Sequence, residues 1–184
     1  MKRIGLLFSL LIICFITTLQ AQTPAIEPSP GLQKLHVFVG DWKGDVETKP
    51  GPWGPGDKWP PMLSTNEMIL GGLFLQIHER WEDSSHQDLF IVGFDPDKRN
   101  YPSSVYMDDG EILQGIMTCD GNAWRFTPTR KISFEEDQYS TMTLAEDGMS
   151  RIDKMEISLD DKTGMPFEEG KWTIGPARRE EIGV

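Results

Sequence analysis

Cysteine and histidine are scarce in this chain, with two and three copies among 184 residues. Cys14 falls in an N-terminal apolar run and leaves Cys119 alone, so no intramolecular disulfide is expected. The histidines His36, His78 and His86 form neither a His-x-His nor a His-Glu-x-x-His motif. The sequence therefore predicts no metal site and a fold that is held by its hydrophobic core.

Basic residues are also few, since 18 Lys and Arg face 29 Asp and Glu and give a net charge of −11. A chain this acidic repels the phosphates of nucleic acids and the anionic surface of membranes. We therefore expect no nucleic-acid partner.

The first 21 residues have the pattern of a signal peptide. Lys2 and Arg3 precede an apolar run over residues 4–16, and Ala21 is the small residue at the expected cut. The run is too short for a membrane span, and Cys14 lies inside it, which disfavours a lipid anchor. We expect export to the periplasm or the medium, with no transmembrane segment after cleavage.

The rest of the chain is expected to form one domain. Residues 22–31 are a proline-rich flexible leader, residues 32–174 the domain, and residues 175–184 a charged tail. Apolar residues at helical spacing predict a short helix that caps one end of the domain: Leu32, Leu35, Phe38 and Val39.

After residue 40, short segments with a two-residue period alternate with turn sequences. In residues 73–82, for example, Leu75 and Ile77 share one face while Gln76 and His78 share the other. The predicted strands are 42–48, 62–70, 73–82, 89–94, 101–107, 112–118, 123–127, 131–135, 139–145, 150–159 and 167–174. This pattern predicts an all-β fold, a closed antiparallel up-and-down barrel of about ten strands. Trp42 would plug one end of the barrel.

Several short motifs occur in a fixed order along the domain. They are Gly40-Asp41-Trp42-x-Gly44, Pro50-Gly51-Pro52-Trp53, Leu70-Gly71-Gly72-x-Phe74-Leu75, Gly93-Phe94-Asp95-Pro96 with Tyr101, and Asp120-Gly121-Asn122-x-Trp124. The chain thereby resembles a bacterial family catalogued as domain of unknown function 1579, over about residues 32–174. The resemblance implies a calycin barrel like those of lipocalins and fatty-acid-binding proteins, with an apolar cavity and no established activity. It also implies a basic side chain against Trp42, for which Lys171 is the candidate.

The segment 50–61 holds five prolines and three glycines, which exclude regular structure. Its two indoles, Trp53 and Trp59, argue against disorder because large apolar rings tend to be in contact. We expect this loop to cover one barrel mouth and to pack at least one of its indoles on the barrel. A loop that packs for stability alone is the alternative.

Sequence motifs for catalysis or cofactors are lacking. Cys119 has no histidine fixed near it, and Asp95 begins a turn that lacks the further ligands of a calcium loop. No histidine follows His86 to ligate haem, which leaves only Tyr139 or Cys119 as substitutes, so no cofactor is expected. Paired acids are interpreted as turn or surface residues: Asp108-Asp109, Glu135-Glu136, Asp160-Asp161 and Glu168-Glu169.

Three functions remain open. The first is a binding protein for a small hydrophobic or amphipathic molecule, with a cavity lined by aromatic and methionine side chains. The expected ligand-binding residues are Trp42, Trp53, Trp59, Trp81, Phe90, Tyr106, Met117, Trp124 and Met155. The second is an isomerase or hydrolase that uses a buried carboxylate, Glu79 or Glu156, in the same cavity. The third is a structural or interaction protein with a filled barrel.

Overall fold

The structure, a computed structural model, describes residues 29–129, 137–158 and 164–175. The predicted signal peptide, most of the leader, the tail after residue 175 and the predicted strand 131–135 lie outside these ranges. Within them, no helix is long and apolar enough to cross a membrane.

The described chain is a closed antiparallel barrel of ten strands with a short helix near its N-terminus, which confirms the predicted fold class. The elements are α1 (Pro30–Lys34), a 3₁₀ turn (Leu35–Phe38), β1 (Gly40–Thr48), β2 (Met62–Ile69), β3 (Phe74–Trp81), β4 (Gln87–Val92), β5 (Tyr101–Met107), β6 (Ile112–Asp120), β7 (Ala123–Pro128), β8 (Asp137–Leu144), β9 (Ser150–Ser158) and β10 (Gly164–Ile174). Each strand pairs with the next, and β1 pairs with β10 to close the barrel.

The helix and the 3₁₀ turn close one end of the barrel, as predicted. Ser29 caps the helix by accepting a hydrogen bond from the Leu32 amide, and Pro30 occupies its first turn. Leu35 and Phe38 of the 3₁₀ turn are fully buried. The Phe38 carbonyl accepts hydrogen bonds from Trp42 Nε1 at 2.8 Å and from the Asn66 side chain at 2.9 Å. The Trp42 ring thus sits at this closed end, with its polar atom satisfied.

Side chains alternate between the barrel interior and the outer surface along the strands. In β3, Leu75 and Ile77 are buried in the interior as the sequence predicts, and Glu79 follows them on the same face. The alternation changes phase in β10, where a bulge lies between Pro166 and Glu168. After the bulge, Glu168 shares the inward phase of Trp172.

The proline- and glycine-rich loop is tied to the end of β1. The Thr48 amide donates to the Asp57 carbonyl at 2.8 Å, and the Trp59 amide donates to the Val46 carbonyl at 3.0 Å. The Trp53 ring packs edge-on against Phe167 of β10 at 5.1 Å between centroids, and the Trp59 ring lies 5.6 Å from that of Trp81. The expected contact between these indoles and the barrel is confirmed.

Candidate functional site

The barrel encloses a cavity of about 190 Å³ at the end opposite the helix. Its wall combines the starts of β2, β4, β6 and β10 with the ends of β3, β5 and β9, which antiparallel order brings to one end. Most of the lining is apolar: Met62, Ile77, Phe90, Val105, Met107, Leu113, Met117, Phe126, Met142, Met155 and Trp172. The polar lining consists of Glu79, Asp88, Ser103, Ser140, Asp153, Lys154 and Glu168.

Arg151 of β9 lies between this cavity and the core beneath the helix, with a side chain that is 1% exposed. Its guanidinium carbon is 4.5 Å from the centroid of Trp172 and 5.1 Å from that of Trp42, within cation–π distance of both. Nη2 donates to Glu79 Oε1 and Nε donates to Asp153 Oδ2, each at 3.1 Å. Because the charge is buried, these contacts are what make its burial tolerable.

Glu79 faces the cavity from β3. Burial raises the pKa of this carboxyl to about 7, against the opposing pull of the Arg151 guanidinium. Its side chain therefore changes charge near neutral pH, which is the property that general acid–base chemistry requires.

Glu168 faces the same cavity from β10. Burial, with added repulsion from the carboxylates of Glu79 and Asp153, raises the pKa of Glu168 to about 7. Burial also raises the pKa of Asp153 and of Asp88, although Arg151 opposes the first shift and His86 opposes the second. The polar part of the wall is thus a group of mutually repelling acids.

Two expectations about charged residues are wrong. Lys171 does not contact Trp42, because it is on the outward phase of β10 and pairs weakly with Glu169. Arg151, one strand earlier, takes its place. Glu156 is exposed on the outer face, since the inward phase of β9 carries Arg151 and Asp153.

The pair Glu168-Glu169 is likewise not in a turn. It lies within β10, where Glu168 lines the cavity and Glu169 faces the lysines Lys49 and Lys171. Asp108-Asp109 does lie in a turn, while Glu135-Glu136 and Asp160-Asp161 are outside the described residues.

The expected ligand-binding residues are spread over four places. Phe90, Met117 and Met155 line the cavity. Trp42 and Trp124 are buried in the core beneath the helix. Trp53, Trp59 and Trp81 pack around the proline- and glycine-rich loop, of which no described residue lines the cavity. Tyr106 is 42% exposed on the outer face of β5.

Sequence reasoning did not place the acids Asp88, Asp153 and Glu168 in the cavity wall, nor Arg151 beside it. For β9 a signal was available, because Arg151 and Asp153 share the two-residue period of Met155 and Ile157.

No group of three or more His, Cys, Asp or Glu suited to a metal ion occurs among the described residues. His86 is more engaged than expected, since its two ring nitrogens lie 3.1 Å from Asp88 Oδ2 and from Asp108 Oδ1. Cys119 lies at the end of β6, where burial raises the pKa of its thiol and disfavours the nucleophilic thiolate.

A ten-stranded barrel with a capped end and a cavity at the other defines the class of this protein by fold. The chain belongs to DUF1579, a family described as protein of unknown function, whose model matches residues 27–173. The family resemblance is thereby confirmed, while the calycin likeness rests on the barrel alone. No curated protein matches the chain.

Two solved structures share the fold. Rv2717c from M. tuberculosis is 14% identical, with a TM-score of 0.56 over 81% of this chain and 99% of its own. A DUF3598 protein of unknown function from Nostoc punctiforme is 12% identical, with a TM-score of 0.53 over 77% of this chain and 49% of its own.

Proposed function

We propose that this protein is exported and binds a small hydrophobic or amphipathic molecule in the barrel cavity. The observation that carries the proposal is the lining of a 190 Å³ cavity by methionine, phenylalanine and aliphatic side chains. Replacing the water in such a cavity with an apolar ligand lowers the free energy, and methionine side chains adapt to ligands of different shape.

The cavity volume limits the size of the ligand. An apolar protein cavity of roughly 150 Å³ holds benzene. A cavity of about 190 Å³ therefore suits a molecule of one ring with a short substituent. Long-chain lipids and retinoids are too large unless the barrel opens further.

Binding of toluene and benzyl alcohol tests this proposal by calorimetry and by thermal shift. Val105→Phe places extra volume in the cavity and should abolish the binding of both probes. Tyr106→Phe, one residue further on the outer face, is the matched control and should bind as the wild type does. If the folded Val105→Phe variant binds both probes unchanged, the cavity is not the binding site.

A second candidate function is proton transfer on a hydrophobic substrate, by an isomerase or hydrolase. The supporting observation is Glu79, a cavity-facing carboxyl with a pKa of about 7 and a fixed orientation on Arg151. A buried carboxyl of this kind favours chemistry over carriage alone.

Exchange of the α-protons of cyclohexanone in deuterated water, followed by NMR, tests this candidate. Glu79→Gln should slow the exchange roughly 100-fold or more if the carboxylate is the base. Glu67→Gln, exposed on β2, should have no effect. Exchange at the buffer rate with the wild-type protein would argue against proton abstraction from such ketones.

A further inference from the structure

The polar wall of the cavity is strongly biased towards one charge. Four carboxyl side chains line it: Glu79, Asp88, Asp153 and Glu168. The cations nearby are Arg151, which is already bound to Glu79 and Asp153, and Lys154, an exposed residue at the edge of the cavity. The wall of an apolar ligand cavity normally carries few polar groups. The charge of those groups therefore indicates the charge of the ligand group that contacts them.

Some oxygens of these acids also lack hydrogen-bond donors. The carboxyl group of Glu168 has no hydrogen bond or ion pair with any described residue. The buried oxygens Asp88 Oδ1 and Asp153 Oδ1 have no donor within the described part of the chain. A buried acceptor without a donor costs free energy unless a ligand or water supplies one.

Trp172 shows that the hydrogen bonds of this wall are incomplete without a ligand or water. Its side chain lines the cavity and the residue is 3% exposed. Its Nε1–H nevertheless finds no acceptor among the described residues. Buried indole N–H groups usually have a partner. This donor and the equally unpartnered Arg151 Nη1 need acceptors, which water rather than an ammonium group would supply.

We infer that the ligand of this cavity is a small apolar amine, whose ammonium group lies against Glu168 and Asp153. This inference rests on the proposed binding function and names its ligand class. An ammonium supplies three N–H donors and one positive charge, which together meet the unpaired oxygens and reduce the repulsion between the acids. The apolar body of the amine would lie against Phe126, Met155 and their neighbours.

Other ligand classes fit the wall less well. A carboxylate would be repelled by the acids, and a hydrocarbon would bury them without donors. An alcohol supplies a single donor and no charge. Phe90 further favours a cation, because aromatic faces attract positive charge, whereas Trp172 already has the Arg151 guanidinium over its ring.

A matched series of one-ring probes tests the inference: benzylamine, benzyl alcohol, benzoate and toluene, each titrated calorimetrically at pH 8. We expect benzylamine to bind at least about tenfold more tightly than benzyl alcohol, and benzoate to bind most weakly. Glu168→Gln should remove most of the preference for the amine over benzyl alcohol, measured as the ratio of the two affinities in the same variant. Glu169→Gln, the adjacent residue of outward phase, should leave the preference intact.

The outcomes separate this inference from the proposed function. If benzyl alcohol and toluene bind but benzylamine has no advantage, the cavity binds apolar ligands and the amine inference is wrong. An advantage that persists in a folded Glu168→Gln variant would overturn the assigned position of the ammonium group. If none of the four probes binds, both the inference and the binding proposal fail for ligands of this size.

Discussion

The two ends of the barrel differ in how their buried polar groups are paired: the end closed by the helix and the end that holds the cavity. Beneath the helix, Ser64 and Asn66 are 2% exposed, and the hydroxyl of Ser64 donates to the Asn66 side chain at 2.6 Å. At the cavity end, oxygens of Asp88 and Asp153 are buried without a donor among the described residues. The polar groups of Ser64 and Asn66 are paired at the closed end, and those of Asp88 and Asp153 are left partly unpaired at the cavity, although Trp81 Nε1 and Asn100 Oδ1 are unpaired away from it within the described chain.

This contrast separates the part of the barrel that stabilises the fold from the part available for recognition. Tightly packed apolar side chains at the closed end contribute most of the free energy of burial. Unpaired acids at the other end reduce that free energy, as is typical of functional sites. Variants at matched positions of the two ends can therefore test this division between stabilising and recognition parts.

The largest effect is expected at the closed end. Phe38→Ala removes a fully buried ring that packs edge-on against Trp124, and should lower the free energy of unfolding by about 3–5 kcal/mol. The loss for Phe90→Ala, at the cavity, should be smaller than the loss for Phe38→Ala by at least about 1 kcal/mol, because the Phe90 ring already borders open space. Urea denaturation measures both, and equal losses would contradict the contrast.

Arg151→Ala should have the next largest effect, a loss of about 3 kcal/mol at pH 8. The substitution leaves Glu79 and Asp153 buried without their cation and removes the stack against Trp42 and Trp172. Lys171→Ala, on the outer face, should change the free energy of unfolding by about 1 kcal/mol or less. If Arg151→Ala lowered the free energy of unfolding as little as Lys171→Ala does, water would have to solvate Glu79 and Asp153 in the cavity.

A smaller effect is expected from pH. Because the folded-state pKa of Glu168 is about 7 and its ordinary value is 4.5, the folded protein binds more protons between these values. The stability contributed by this group is therefore present below about pH 4.5 and is lost as the pH rises through about 7. Glu79, with the same folded-state pKa, acts in the same direction.

Glu168→Gln removes this dependence for one group. The variant should be about 1–3 kcal/mol more stable than the wild type at pH 8 and nearly equal to it at pH 4.5. Glu169→Gln should differ from the wild type by about 1 kcal/mol or less across the same range. Denaturation at both pH values gives the comparison, and a Glu168→Gln variant that is less stable at pH 8 would contradict the sign.

The smallest effect is expected at the proline- and glycine-rich loop. Trp53→Ala removes the contact with Phe167 and the hydrogen bond from Nε1 to the Lys49 carbonyl, and should lower the free energy of unfolding by about 1–2 kcal/mol. Since Trp53 does not line the cavity, the affinity for benzyl alcohol should stay unchanged. A marked loss of affinity would instead support the predicted role of the loop as a lid.

Strand positions could be predicted because local alternation reports them directly. The segment containing Leu75 and Ile77 placed Glu79 inside the barrel from sequence alone. Glu168 could not be placed in this way, because alternation counted from Met165 and alternation counted from Trp172 disagree across the bulge. The position of a bulge depends on the neighbouring strand, which local sequence does not specify.

The pairing of Arg151 with Glu79 is a different kind of omission. These residues lie on strands β9 and β3, which are not neighbours in the barrel and meet only through long side chains that cross the interior. A two-residue period identifies which residues face inward, but it carries no information on which of them meet. The contact between Arg151 and Glu79 could therefore be identified only in the three-dimensional structure.

The pairing of β1 with β10 has a consequence for how the barrel assembles. Every other pair of neighbouring strands in the described chain is consecutive in sequence, so it can form as a local hairpin. The register of Trp42 with Ile174 joins the two ends of the domain and can form only after the strands between them are in place. We expect this seam to close last and to set the folding rate. A circular permutant that links residues 175 and 29 and opens the turn at Gly110 makes β1 and β10 a local hairpin and moves the non-local closure to β5 and β6. Substitutions in the β1–β10 pair should then affect the folding rate less than they do in the original chain, and substitutions in the β5–β6 pair should affect it more.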